Sequence, residues 1–177
     1  MPRDRARAAQ LFERGCDAAS SLACVLVAGQ YVDGNGVAKD EPRAMHYYGL
    51  ACEQGQGGAC FALGLAHIQA AYGMSEDHTA GAALLEKGCH LGNEDSCAAW
   101  AEMLRTGDGV PLDVDQAKTV LDDACRAGSA DGCARRGAMA YEEGRVTDGL
   151  RLLHQACSLG LAKACDAVSK LETPASP

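Results

Sequence analysis

Two cysteines eight positions apart occur five times in this chain, as Cys16/Cys24, Cys52/Cys60, Cys89/Cys97, Cys125/Cys133 and Cys157/Cys165, and no cysteine falls outside the pattern. Successive first cysteines stand 36, 37, 36 and 32 residues apart. A repeat of this length marks an array of supersecondary units that bury their apolar faces against one another. The 177-residue length therefore does not imply a single central core.

Each repeat has room for two helices. Residues 6–15 carry apolar side chains at helical spacing, and Cys16 closes that helix. A short turn over 17–21 leads to a second helix from Leu22 to about Val32, ended by Asp33-Gly34-Asn35-Gly36, whose glycines accept the positive φ of a helix exit. Asp40 is the expected N-cap of the next helix, with Pro42 in its first turn and Ala44–Glu53 as its body. Eight residues before each first cysteine stand Ala8, Ala44, Gly81, Ala117 and Gly149; four before it stand Phe12, Tyr48, Leu85, Leu121 and Leu153. Three after it come Ala19, Gly55, Gly92, Gly128 and Gly160, and twelve after it Ala28, Gly64, Ala101, Gly137 and Ser169. We read these small columns as places where helix backbones approach closely. The array is expected over 1–172, as about four full repeats and a terminal half-repeat, with 173–177 as a disordered tail.

Composition narrows the function classes. Aromatic residues make up only 5% of the chain while Gly alone counts 21, which suits close helix packing better than a bulky sandwich core. A formal charge of -8 argues against nucleic acid or an anionic membrane surface as partner, because both need clustered Lys and Arg. There is no run of eighteen apolar residues, so membrane insertion is not expected.

The pattern Ala44-x3-Tyr48-x2-Ala51-Cys52, then Gly55-x3-Ala59-Cys60-x3-Gly64, together with the linker Gly34-Asn35-Gly36-Val37, resembles the Sel-1-like repeat. The paired cysteines are similar to its cysteine-rich branch, the Helicobacter cysteine-rich proteins. The resemblance runs from about residue 6 to 172. It implies an all-α, tetratricopeptide-like α/α superhelix of antiparallel helix pairs, stapled by disulfides across the short turns. It also implies an adaptor or host-interaction role. Two alternatives follow from the same family: penicillin binding with weak β-lactamase activity, and a respiratory-complex assembly role like that of an oxidase assembly factor of the mitochondrial intermembrane space. The linker signature recurs as Gly107-Asp108-Gly109-Val110 but is lost at Ala70-Ala71-Tyr72-Gly73-Met74 and at Glu143-Gly144-Arg145-Val146.

Bridging each cysteine pair suits a chain that ends one helix, reverses over about six residues and opens the antiparallel neighbour. Such a bridge stabilises by roughly 2–3 kcal/mol in the chain-entropy model. Ten buried free thiols are the alternative. Zinc is poorly served, since structural sites space paired ligands by two to four residues. Bridges imply an oxidising compartment, either the bacterial periplasm, the exterior or the intermembrane space. The sequence shows no apolar signal-peptide core, so we expect the chain to be a segment of a longer exported precursor. No Ser is followed by Lys three residues on, and His46, His67, His78, His90 and His154 lack metal-protease spacing, so no catalytic residue, metal or cofactor is assigned.

What remains is a binding surface. The resemblance places the second helix of each pair on the concave face, where His67, Trp100, Glu102, Arg105, Arg135 and Arg136 become the candidates for a protein or peptide partner. Trp100 and Arg136 occupy a position that holds Val27, Leu63 and Val168 elsewhere; Trp100 can instead simply fill the core there, whereas Arg136 cannot do so unpaired. The two arginines favour an acidic segment. With no helix before residues 6–15, Leu11 and Phe12 should leave an apolar end able to self-associate.

Overall fold

The computed structural model describes residues 2–172; the 173–177 segment lies outside the described residues. Among them are ten helices and no strand: α1 (Pro2–Asp17), α2 (Ser21–Asp33), α3 (Glu41–Glu53), α4 (Gly57–Ile68), α5 (His78–His90), α6 (Glu94–Thr106), α7 (Val114–Arg126), α8 (Ala130–Glu142), α9 (Val146–Ser158) and α10 (Ala162–Glu172). Helix starts follow side-chain chemistry. Asp40, Asp77 and Asp113 cap α3, α5 and α7 by accepting from the backbone N–H three residues on, and Ser20 and Ser129 do the same for α2 and α8.

The chain forms two compact units, one running to Ser96 with Asp108–Val110, the other comprising Cys97–Gly107 and the described residues from Pro111. In the first, α1 packs on α2, α2 on α3, α3 on α4 and α4 on α5; in the second, α7 packs on α8, α8 on α9 and α9 on α10. Within each unit these helices thus pack on their sequence neighbours, as in a solenoid of helix pairs. The first core gathers Cys24, Val27, Ala44, Ala51 and Cys60, and a core in the second gathers Cys125, Cys133, Leu152, Ala156 and Ala164.

Bridges join Cys16–Cys24, Cys52–Cys60, Cys125–Cys133 and Cys157–Cys165, with Cα atoms 4.5–4.7 Å apart, and no described cysteine is free. The turns they span are shorter than the six residues expected: only Gln54–Gln56 separate α3 from α4. Each first cysteine sits inside its helix and each second one a turn into the next. The tight reversal comes from the third position after the first cysteine, where Ala19, Gly55, Gly92, Gly128 and Gly160 all take positive φ, between 61° and 98°. That column is a left-handed helix exit and not, as its small size suggested, a site of close helix approach.

The other two columns do bring backbones together. A Cβ on Gly64 would lie 3.1 Å from the Gly81 carbonyl oxygen, and one on Gly81 3.0 Å from that of Gly64, so α4 and α5 meet at two facing glycines. Gly137 of α8 and Gly149 of α9 repeat the arrangement at 3.0 and 2.9 Å.

Candidate functional site

A groove opens on the second unit between two second helices, α6 and α8. Its floor is Ala98, Ala101, Leu121, Ala138 and Met139, its rim Glu102, Arg105, Arg135 and Glu142, and it encloses about 220 Å³. Alanines on both helices leave the space, and Met139 supplies an adaptable apolar wall. Around the rim the charges alternate. Arg105 makes a two-point contact with Glu102, its Nε 2.9 Å from Oε2 and its Nη2 2.5 Å from Oε1. That bond holds the Glu102 carboxyl below its usual range, with the Arg135 charge adding to the effect, while Glu102 and then Glu142 raise Arg105. Arg135 Nε donates to Asp131 at 2.5 Å. The rim can therefore meet both signs of charge over an apolar floor.

Of the six residues proposed from sequence, Glu102, Arg105 and Arg135 come together at this groove. Trp100 and Arg136 do not reach the surface: Trp100 is 5% and Arg136 8% exposed. Arg136 Nε lies 3.0 Å from Asp122 Oδ1, close enough for charge pairing, yet the N–H is not aligned on the oxygen, and Nε and Nη1 are buried without a hydrogen bond. Its partner Asp122 stays partly in water, which keeps the pair affordable for the fold. Arg136 is thus a structural residue, and the excess of positive charge that favoured an acidic partner is absent from the rim. His67 lies elsewhere, in a recess of the first unit. Sequence reasoning missed Ala138, Met139 and Glu142, whose only signal was their helical spacing along α8.

The recess around His67 traces to a linker anomaly. In the two intact linkers, Gly36 and Gly109 take φ of 85° and 69° and press on the backbone at the start of the preceding first helix, at Arg5 and His78, where a Cβ would collide. The second linker keeps the left-handed path without the glycines: Ala70 stands at φ 49° where Gly34 and Gly107 stand in the others, and Tyr72 at φ 56° where Gly36 and Gly109 stand. With its Cβ, Tyr72 cannot settle onto the start of α3 in the same way. A space of about 410 Å³ lies there, lined by Pro42, Met45, His46, Gly49, Leu50, Glu53, Leu63, His67, Tyr72, Gly73 and Met74. Within this region His67 Nδ1 is buried with no hydrogen-bond partner, a situation that costs about 1–3 kcal/mol when nothing compensates it.

Comparison with known proteins agrees with the repeat. The curated Cytochrome c oxidase assembly factor 7 of Xenopus tropicalis is 32% identical over 85 residues, which are 48% of this chain and 37% of that protein. The match thus spans little more than a third of the curated relative. Among solved structures, a Sel1 repeat protein from Oxalobacter formigenes superposes with a TM-score of 0.81 at 22% identity, covering 94% of this chain and 69% of that one. Helicobacter pylori cysteine rich protein B superposes at 0.58 with 27% identity, covering 75% of this chain and 95% of that one. The first of these structures shows the α/α solenoid fold. The Sel1 repeat model itself matches residues 1–20, 21–56, 58–93, 94–119 and 130–161, with each pair of facing glycines, Gly64/Gly81 and Gly137/Gly149, inside one matched stretch, and this chain belongs to the Sel1 repeat family.

Proposed function

We propose that this chain is a non-catalytic scaffold that binds a protein or peptide segment through the α6–α8 groove of its second unit. The observation that carries this reading is the alanine and methionine floor beneath a rim of alternating charge. A helical or extended segment placing apolar side chains at every turn and charges at its flanks would match it. The bridged turns support action in an oxidising compartment, such as the periplasm, the exterior or the intermembrane space. No helix among the described residues is long and apolar enough to cross a membrane. The similarity to an oxidase assembly factor supports a second reading, in which the bound partner is a subunit awaiting assembly. Self-association would use the exposed Leu11, Leu22 and Leu26 of α1 and α2.

Peptides selected against the folded chain from a random displayed library test the reading. Ala138 is exposed, so Ala138→Trp should fill the groove without unfolding α8. We expect selected peptides to lose binding to this variant and to Glu102→Ala/Arg135→Ala. Peptides that bind both variants as well as the parent chain would refute the groove as the site.

A further inference from the structure

We propose that the recess beside the second linker is a Cu(I) site, held by the His67 imidazole and the Met45 and Met74 thioethers, with His46 at its mouth. This goes beyond the scaffold reading and uses a different surface. Four soft or borderline donors line one recess, two from α3, one from α4 and one from the linker. Thioether sulfur selects Cu(I) over the harder divalent ions, and imidazole suits copper. Thiolates, the usual competitors for that ion, are not on offer, because no described cysteine is free.

The second observation is independent of the lining. His67 Nδ1 is buried and unpartnered, and in the neutral imidazole whose proton sits on Nε2 that nitrogen carries a free lone pair, which is what a metal takes. The surrounding wall of Pro42, Leu50, Leu63 and Tyr72 is apolar apart from Glu53. A singly charged soft cation is desolvated into such a wall at less cost than a divalent one. The linker that supplies Met74 is also the one whose Ala70 and Tyr72 hold left-handed φ without glycine.

Anaerobic titration of the full chain, bridges intact, with Cu(I) against a chromophoric Cu(I) chelator tests the site. We expect one Cu(I) per chain, undisturbed by excess Zn(II), with X-ray absorption showing both sulfur and nitrogen neighbours. Met74→Leu and His67→Gln should each weaken binding by about tenfold or more, while Met139→Leu, in the other groove, should not. Met74→Leu keeps the side-chain volume, so it decides the matter if His67→Gln loses thermal stability. Absence of stoichiometric binding, or binding that survives Met74→Leu unchanged, would overturn the proposal.

Discussion

Ala19 is the residue at which this chain departs most plainly from its own rule. Its amide donates to the Cys16 carbonyl and that of Ser20 to Gly15, the same pair of bonds that Gly55 and Gln56 make at the next turn, but with a Cβ at φ 61°. A non-glycine residue pays about 1–2 kcal/mol for that conformation, so Ala19→Gly should stabilise the chain by about 1 kcal/mol in urea denaturation. Arg135 and Arg136, adjacent in sequence, should part company in the same assay. Arg135→Ala removes an exposed pair with Asp131 and should change stability by less than about 0.5 kcal/mol. Arg136→Ala removes a buried stem and its pairing with Asp122 and should cost about 1–3 kcal/mol.

His78 adds a pH dependence at the same scale. Its Nδ1 lies 2.5 Å from Asp108 and its Nε2 3.1 Å from Glu76, so both ring nitrogens donate only in the imidazolium form. The bond to Asp108, then that to Glu76, raise its pKa. Because the folded value lies above the unfolded one, the contribution is complete below the unfolded pKa and is lost as pH rises through the folded value. The stability gap between the parent chain and His78→Gln should therefore shrink as pH rises above about 6.5, the ordinary histidine value. A gap that widens over that range would reverse the sign.

Elements meet where glycines face each other, and the consequences differ with position. At Gly149 an added Cβ would press on the Gly137 carbonyl and on the Tyr141 backbone, neither of which can move without shifting α8. Gly149→Ala should cost about 1–3 kcal/mol. Gly29, inside α2 with nothing within 4 Å of its would-be Cβ, should gain about 0.5–1 kcal/mol as alanine. Thermal unfolding of the two variants checks both signs together. Spacing alone revealed which columns are small, and it revealed the Asp40 cap and the Gly34 exit. It did not separate the left-handed exit column from the close-contact columns, because glycine and alanine serve both needs and only backbone angles distinguish them.

At the scale of the chain, the repeat was legible because five cysteine pairs and two kinds of glycine column repeat in register, and each reflects a geometric necessity of stacked helix pairs. The site was legible only in part. Glu102, Arg105 and Arg135, read from their place on second helices, line the groove, whereas Trp100 fills the core and Arg136 lies buried, since the depth at which a side chain sits depends on the neighbouring helix and not on its own repeat. The recess at Tyr72 announced itself as a broken linker signature without disclosing that a space follows from it. The central claim is that a segment binds between α6 and α8. Hydrogen–deuterium exchange of the chain with and without a selected peptide tests it most directly. Slowed exchange concentrated in Glu94–Thr106 and Ala130–Glu142 is the predicted result; protection confined to α1–α4, with those two helices unchanged, would contradict it.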